Sequence, residues 1–481
     1  MAPRLLLTSG FVLSLAACDL APDYHAPLVA VPASYKEVGP WQPAQPADAA
    51  PRGTWWQPFA DPTLDRLEPQ IDQANPDLAA TVARYDQARA AAVEAEAGLY
   101  PQISLGASSI ANRQSSRRPL RAGGPNQYTA NTLDTQASYE IDIWGDVRNK
   151  AAAGRALAQA SAADLATVRL SLQAELASDY FTLRGLDADA KLLADTVAAF
   201  QKALDLTQTL FTGKIAAGTD VSRAQTQLET ARAQVSDIAG RRALLEHAIA
   251  TLVGAPASSF SIPVEQPKLR LPDLPAIVPS TLLQRRPDIA AAERTVKAAN
   301  AEIGVARAAF YPSLSLNLTG GFQDTRLDAP SLPLSFWSIG PDVTLPLFTG
   351  GQLDAQESAA YAQFREASED YRSTVLGAFQ EAEDNLALIH WLGTEETDET
   401  AAVAAAQRTL DSALELYRQG ATSYLEVVTA QTALLQAQQT AIDVQTRQLE
   451  AEVGLARALG GGWRQEDLPN DQAVTVLAAD K

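Results

Sequence analysis

One cysteine is the residue of this sequence best placed for a covalent reaction. Leu5 to Ala17 is a thirteen-residue apolar run after Arg4, too short to span a bilayer as a helix and typical of a signal peptide. The run ends in Leu15-Ala16-Ala17-Cys18, where small residues before a cysteine resemble a lipobox. We therefore predict cleavage before Cys18 and acylation of its thiol. A secretory peptide with a chance cysteine is the alternative.

Lipid on Cys18 would hold the chain on a membrane. Each buried methylene of an acyl chain contributes about 0.8 kcal/mol, so two or three chains anchor a protein firmly. Asp19 directly follows the cysteine and resembles an inner-membrane retention signal of some Gram-negative bacteria. The membrane that receives the lipid is therefore less well determined than the anchor itself.

The rest of the sequence lacks the clusters that metal or covalent chemistry needs. Its three histidines are scattered, at His25, His247 and His390, and it has one cysteine, so we predict no metal, no cofactor and no catalytic residues. Lys and Arg total 38 against 57 Asp and Glu, a net charge of −19. Such an acidic surface repels phosphates, which excludes nucleic acid as a partner.

Four stretches of alternating polar and apolar residues predict β-strands. The alternation is strict from Leu133 to Ile143, repeats at Ser313 to Leu318 and Trp337 to Leu347, and is weaker at Gln102 to Ala107. A strand of about 10 residues is long enough to cross a bilayer when tilted. A half-buried sheet in water shows the same alternation, so the strands alone do not decide between the two.

Long helices distinguish this chain from a compact domain. No proline interrupts Asp146 to Thr212, which predicts a helix on the order of 100 Å long. Apolar residues spaced three and four apart continue from Val221 to Leu252, with Arg242 interrupting them, so we predict an antiparallel coiled-coil hairpin. A generic coiled-coil scaffold would explain these helices but not the strands.

The pattern occurs twice. At an offset of 206 residues Gly145 matches Gly351, Asp220 matches Glu426, and polar Gln448 stands where Arg242 interrupts the first apolar seam. A repeat this long indicates duplication of half a subunit. Each half then supplies two strands and one helical hairpin. Four strands cannot close a transmembrane barrel, for which the smallest known number is eight, so we predict that the chain oligomerises.

The sequence from about Thr54 to Trp463 resembles the outer-membrane factors of tripartite efflux systems, the TolC-like family, and most closely its OprM-like or NodT-type lipoproteins. Five motifs carry the resemblance. They are Tyr139-Glu-Ile-Asp-Ile-Trp-Gly145, Leu283-Gln-Arg-Arg-Pro-Asp-Ile289, Ala299-Asn-Ala-Glu-Ile-Gly304, Phe310-Tyr-Pro-Ser-Leu314 and Ala458-Leu-Gly-Gly-Gly-Trp463.

The resemblance implies a fold, a location and partners. The fold is an α+β membrane protein: a homotrimer whose twelve-stranded β-barrel, four strands per subunit, continues into a twelve-helix periplasmic α-barrel. The location is the cell outer membrane. The partners are a periplasmic adaptor and an inner-membrane RND pump. The implied function is a passive exit duct for small molecules, with a type I protein secretion conduit or a non-conducting structural lipoprotein as alternatives.

The resemblance also assigns residues to three sites, which we list by role. The periplasmic gate is Leu425, Thr429 and Tyr417; the family often has Asp where this chain has Thr429. The adaptor-contacting tips are Gly213, Gly218, Asp220, Gly420 and Glu426, the glycines being expected to accept left-handed backbone. The lumen-facing strand residues are Asp134, Glu140, Asp142, Asn317 and Asp342, which imply only a mild cation preference.

Six segments follow from these assignments. We predict a signal peptide at 1–17, a lipidated extended arm at 18–58, the first repeat at 59–254, an equatorial connection at 255–279, the second repeat at 280–462 and an equatorial tail at 463–481. Arg285 and Arg286 precede Pro287-Asp288, a helix start. We therefore expect them to form ion pairs rather than a binding site.

Overall fold

The computed structural model describes residues 19–32, 34–37, 54–117, 125–265, 285–326 and 332–476. Cys18 and the predicted lipobox lie outside the described residues, as does most of the predicted equatorial connection.

The described residues form eight helices and four strands, with short 3₁₀ turns at Gln57–Phe59, Ala257–Ser259, Leu332–Leu334 and Gln465–Asp467. The helices are α1 (Pro62–Ala74), α2 (Pro76–Ala97), α3 (Asp146–Thr212), α4 (Gly218–Leu252), α5 (Pro287–Ala308), α6 (Gln352–Arg418), α7 (Tyr424–Ala458) and α8 (Asp471–Thr475). The strands are β1 (Gln102–Arg113), β2 (Gln127–Glu140), β3 (Ser313–Asp324) and β4 (Ser335–Thr344).

The structure confirms the duplication and the proline-free helix. Helices α3 and α6 each have 67 residues, and α4 and α7 each have 35, at the predicted offset of 206. Each long helix begins directly after a glycine with positive φ, Gly145 at 84° and Gly351 at 87°, because only glycine makes such a sharp change of direction without steric cost. Within the part of the chain that the structure describes, none of the helices is both long enough and apolar enough to cross a membrane.

The long helices pack as two antiparallel hairpins, α3 with α4 and α6 with α7. The predicted apolar seams lie in these contacts. Leu186, Leu193 and Ile238 pack together in the first hairpin, and Leu392, Val444 and Ala451 in the second. Small residues in the seams let the helix axes approach closely, as the alanine-rich pattern predicts.

The strands form one antiparallel sheet in the order β1-β2-β3-β4. Strand β2 is paired with β1 on one side and with β3, the first strand of the second repeat, on the other. The sheet therefore joins the two repeats edge to edge, and β1 and β4 form its outer edges.

Two strands end earlier than the alternation predicts. Strand β2 ends at Glu140 and β4 at Thr344, so the predicted extensions to Ile143 and Leu347 are wrong. In β2 the ladder continues for one hydrogen bond, from Ile141 N to Leu314 O at 2.8 Å, after which the chain turns toward α3. In β4 the next residues are Leu345 and Pro346, and proline cannot donate to a ladder.

The first and the last segments that the structure describes lie along the helices of the two repeats. In the N-terminal segment 19–37, Asp19 accepts a hydrogen bond from Asn149 of α3 (2.8 Å), and Tyr24 donates to the Glu293 carboxylate of α5 (2.5 Å). Further along, the backbone N–H groups of residues 36 and 37 donate to Glu383 of α6. Near the C-terminus, α8 packs against α2 and α3.

The start of α5 confirms the expectation of local ion pairs for Arg286. Pro287 is the first residue of the helix. The Arg286 guanidinium pairs with Asp288 at 2.6 Å and with Glu381 of α6 at 2.8 Å. Arg286 therefore fastens α5 to the second hairpin, and it is buried.

Candidate channel wall and gate

The sheet has one apolar and one polar face. Directly paired residues of antiparallel strands lie on the same face, so the pairings show which residues share each face. Across all four strands Leu105 is paired in line with Thr135, Gly320 and Trp337, and Ile103 with Ala137, Leu318 and Ile339. The large apolar side chains of this face are exposed: Ile103, Leu105, Leu133, Leu316, Leu318, Trp337, Ile339 and Val343. An exposed apolar face of this extent marks a surface that meets protein or lipid.

The polar face holds four of the five predicted lumen residues. Asp134 is opposite Gly106 and Gly321, Asn317 is opposite Ser138, and Ser315 lies between Glu140 and Asp342. The alternation in the sequence therefore predicted which residues share a face.

Asp142 was wrongly predicted to face the lumen from a strand. It lies beyond the end of β2, and its carboxylate accepts hydrogen bonds from the backbone N and the Nε of Arg148, at 2.9 and 3.0 Å. The side chain is mostly buried. Asp142 therefore stabilises the first turn of α3, where a negative charge also favours the helix dipole.

The prediction that glycines take the left-handed backbone of the hairpin turns holds for the second turn and fails for the first. Gly420 has a φ of 71°, as expected. In the first hairpin the left-handed residue is Lys214, with a φ of 59°, whereas Gly213 has a φ of −74° and Gly218 is the first residue of α4. Lys214 stands 206 residues before Gly420, so the two turns keep one geometry with different residues.

A buried apolar cluster joins the tips of the two hairpins within one chain. We call it the tip cluster; its residues are Ala224, Ala413, Tyr417, Tyr424, Val427 and Ala430, with Leu204, Leu206, Leu210, Leu410, Leu414 and Val428 packed around them. The Tyr417 and Tyr424 rings lie 5.2 Å apart. Burial raises the pKa of Tyr424 to about 12. Both tyrosines are therefore neutral, and Tyr417 is a packing residue between the hairpins.

The other two predicted gate residues lie on the outside of the same turn of α7. Leu425 and Thr429 are exposed and four residues apart, so they share a helix face. The Thr429 hydroxyl donates to the Leu425 carbonyl at 2.9 Å. This helix face therefore exposes one apolar side chain and one hydroxyl group. Asp220 and Glu426 occupy the first turns of α4 and α7.

A buried ionic network at the middle of the first hairpin was not predicted. We call it the α3 clamp. Arg184 is fully buried and donates to the Asp187 carboxylate (2.8 Å), the Tyr180 hydroxyl (2.9 Å) and the Pro263 carbonyl (2.8 Å). Arg242 of α4 donates to the other Asp187 oxygen at 2.7 Å and to the Ile262 carbonyl at 2.7 Å.

The α3 clamp fastens the segment after α4 to the hairpin and reaches α1, because Tyr180 also donates to Asp61, the N-cap of that helix, at 2.8 Å. The polar interruption of the seam at Arg242 was the signal in the sequence that a partner such as Asp187 was needed.

Glu68 of α1 is a second buried ionisable group that the sequence did not reveal. It is fully buried, and neither carboxylate oxygen has a hydrogen-bond partner within the described ranges. Burial, together with the nearby negative charge of Asp72, raises the pKa of Glu68 to about 9. Glu68 is therefore protonated at neutral pH.

Among the described residues no group of His, Cys, Asp and Glu side chains is arranged to hold a metal ion.

The profile of the outer membrane efflux protein family matches residues 67–255 and 278–461, which together include both hairpins and the whole described sheet. The chain belongs to the outer membrane efflux protein family. It is an outer-membrane protein of efflux transport, and the resemblance inferred from its motifs is confirmed.

Relatives and solved structures agree with this membership. The efflux protein is 33% identical to the antibiotic efflux pump outer membrane protein ArpC of Pseudomonas putida, with 98% of each chain covered. It is 32% identical to the pyoverdine export outer membrane protein OpmQ of Pseudomonas aeruginosa, covering 94% of this chain and 96% of OpmQ. The structure of the outer-membrane channel OprN matches 93% of this chain and 100% of OprN, with 28% identity and a TM-score of 0.87.

Proposed function

We propose that three copies of this chain form a passive duct through the outer membrane, anchored by lipid on Cys18. The duct is opened when a periplasmic adaptor contacts the hairpin tips, and an inner-membrane RND-type pump supplies the energy. The cargo is small molecules. The observation that carries this proposal is a four-stranded sheet with an exposed apolar face, a polar opposite face and two outer edges.

The edges of the sheet require more than one copy. In hydrocarbon each unpaired backbone N–H or C=O costs several kcal/mol, so a sheet that enters a bilayer closes on itself. Four strands are too few, since the smallest single-chain barrels have eight. Two copies would give a barrel whose interior is filled by side chains, whereas twelve strands from three copies leave room for water.

The faces of the sheet fit a barrel wall. The apolar face, with Trp337 and Ile339, suits lipid, and the polar face, with Asp134, Glu140, Asn317 and Asp342, suits an aqueous lumen. These carboxylates favour cations mildly and select no particular compound. The names of the relatives, which include an antibiotic pump and a pyoverdine exporter, describe different cargoes for related ducts.

The tips are the place for a gate. The tip cluster fixes the two hairpins of a chain to each other, while Leu425 and Thr429 remain exposed on the far side of α7. In a trimer three Leu425 side chains would meet and exclude water by an apolar constriction. Thr429 provides a ring of neutral hydroxyls there. An adaptor that binds the turns at Gly213, Gly218, Asp220, Gly420 and Glu426 would separate these rings.

Planar-bilayer recording of the purified protein tests the proposal. We expect channels from the wild type, and a several-fold higher open probability for Leu425→Ala because the constriction loses its bulk. Leu388→Ala is the matched control, since Leu388 is also half exposed but lies far from the tip. Absence of conductance would reject the duct, and an open probability that Leu425→Ala leaves unchanged would reject the gate.

Deletion of the gene in its host tests the cargo class. We expect sensitivity to amphiphilic small molecules, restored by the wild-type gene. Loss of a secreted protein, with unchanged sensitivity to every compound tested, would instead indicate a protein secretion conduit.

A further inference from the structure

Two aromatic side chains at the ends of the sheet are exposed. Tyr100, two residues before β1, is 69% exposed, and Phe348, four residues after β4, is 92% exposed. Each lies just outside an edge strand, and both lie at the end of the sheet where the helices begin. Exposed rings of this size add to the exposed apolar surface of the sheet, and apolar surface of that extent marks a contact with another molecule.

The same chain contains a complete version of the contact that these two residues lack. Trp144, four residues after β2, packs on Tyr311, two residues before β3, with ring centroids 4.6 Å apart. The Trp144 indole also donates to the Pro312 carbonyl at 2.9 Å. This contact seals the junction where β2 of the first repeat meets β3 of the second.

The internal repeat relates the two pairs of residues. Leu99-Tyr100-Pro101 before β1 corresponds to Phe310-Tyr311-Pro312 before β3. Glu140 and Thr344 are the last residues of β2 and β4, and the next four residues correspond as Ile-Asp-Ile-Trp and Leu-Pro-Leu-Phe. Phe348 is therefore the counterpart of Trp144, and Tyr100 is the counterpart of Tyr311.

In the duct proposed above, β4 of one copy meets β1 of a second copy. We propose that these two strands pair in the register of the β2–β3 junction, and that Phe348 packs on Tyr100 of the second copy. The proposal rests on the proposed function and assigns its inter-chain contact. In the β2–β3 junction Glu140 is opposite Ser315. The equivalent register places Thr344 opposite Ser104 of the second copy.

The backbone of both edges fits this register. Ile141 N donates to Leu314 O, so the odd-numbered residues of β2 bond toward β3. Alternate residues of a strand direct their backbone hydrogen-bonding groups to opposite neighbours, and the observed pairings carry this alternation across the sheet. The backbone N–H and C=O groups of the odd-numbered residues in β1 and β4 are therefore directed away from the sheet, at its outer edges. The register pairs odd with odd, such as Val343 with Leu105, so outward donors meet outward acceptors.

The lengths and faces of the strands fit as well. With Thr344 opposite Ser104, the first residue of β4, Ser335, lies opposite Arg113, the last residue of β1. No residue of β4 is left without an opposite in β1. Val343 then lies beside Leu105 on the apolar face and Asp342 beside Gly106 on the polar face.

Paired cysteines test the register in the full-length protein. Thr344 and Ser104 would form a pair without backbone hydrogen bonds, whose Cα atoms lie about 4.5 Å apart, within the range of a disulfide. We expect oxidised Thr344→Cys/Ser104→Cys protein to run as covalent dimer and trimer on non-reducing gels and as monomer after reduction. Thr344→Cys/Gln102→Cys is the matched control, shifted by two residues. The wild type, whose single cysteine is Cys18, measures the background.

The outcomes separate this proposal from the proposed function. Preferential cross-linking of the Ser104 pair supports the register. Preferential cross-linking of the Gln102 pair, in protein that still conducts, overturns the register and leaves the duct intact. A monomer by native mass spectrometry that neither conducts nor cross-links overturns both.

The aromatic contact has an independent test in the temperature at which the oligomer dissociates. We expect Phe348→Ala and Tyr100→Ala each to lower it, and the double variant to lower it by less than the sum, because both single changes remove the same contact. Tyr311→Ala, which breaks the equivalent contact within a chain, controls for loss of local folding. Strict additivity of Phe348→Ala and Tyr100→Ala would show that the rings do not meet.

Discussion

The two hairpins have equal lengths but are held differently at mid-height. In the first, Arg184, Asp187 and Arg242 form the α3 clamp. At the equivalent positions, 206 residues later, the second hairpin has His390, Gly393 and Gln448. The His390 ring packs against Trp391, with centroids 5.0 Å apart, and Gln448 donates to Glu396 at 3.1 Å.

This difference indicates that the two duplicated halves have different structural roles. The α3 clamp ties the first hairpin to α1 and to the segment at residues 262–265 through buried charge. The second hairpin carries Leu425 and Thr429. At its mid-height α7 is held to α6 by the hydrogen bond from Gln448 to the Glu396 carboxylate and by a partly exposed Arg447–Glu395 ion pair at 2.9 Å, and an exposed ion pair costs less to break than a buried one. The first hairpin is thus the fixed part, and we expect α6 and α7 to be the helices that move when the gate opens.

The largest effect should come from breaking the α3 clamp. Arg184→Met removes the charge at similar volume and leaves part of the Asp187 carboxylate and the Tyr180 hydroxyl unpaired, so we expect a loss of about 3–5 kcal/mol in the free energy of unfolding. The equivalent change in the second hairpin, His390→Met, should cost less than about 1 kcal/mol. Both losses can be measured by unfolding the variants in detergent and monitoring the transition by circular dichroism. Equal losses would refute the division between the hairpins.

A smaller effect, dependent on pH, should come from Glu68, which packs beside the first hairpin. Its pKa of about 9 in the folded protein lies above its value in the unfolded chain, so the folded state retains a proton that the unfolded state releases. Stability should therefore fall as pH rises from about 4.5 to about 9. Glu68→Gln should remove this slope, and it should therefore stabilise the protein more at pH 8 than at pH 5.

Melting temperatures of wild type and Glu68→Gln between pH 5 and pH 9 check this prediction. Asp72→Asn is the comparison variant. It removes the nearby charge that helps to raise the Glu68 pKa but leaves Glu68 buried, which is the larger cause, so its stability should still fall as pH rises. Parallel pH profiles for wild type and Glu68→Gln would contradict the assignment.

The smallest effect should appear at the hairpin turns, where exchange of residues tests their equivalence. A left-handed residue other than glycine costs about 1–2 kcal/mol. Lys214→Gly should therefore stabilise the first turn by up to about 1 kcal/mol, and Gly420→Ala should destabilise the second by about 1 kcal/mol. Gly213→Ala, at a negative φ, is the control and should change little. Thermal unfolding checks all three, and a destabilised Lys214→Gly would contradict the strain.

The sequence predicted the repeating framework because its signals are periodic. The absence of proline between Asp146 and Thr212 predicted one long helix there, and the alternation in β2 predicted the face of Asp134 and Glu140. It failed where one contact overrides a pattern. Asp142 continues the alternation, yet its carboxylate binds Arg148 and ends the strand.

Contacts between distant residues were also out of reach. Arg242 signalled a missing partner but did not name Asp187, 55 residues earlier. The burial of Glu68 depends on how α1 packs, which a short polar and apolar pattern does not specify. At the tips the glycines were visible, but the assignment of left-handed backbone to Lys214 required the structure.

The length of α3 and α6 determines how far the hairpin tips lie from the sheet. Each has 67 residues without a break, so the distance from the sheet to the tips is set by residue count at about 1.5 Å per residue. Insertion of one heptad into all four helices would move the tips by about 10 Å. An adaptor must therefore match this reach, and ducts of different reach would not be interchangeable between pumps that sit at the same depth.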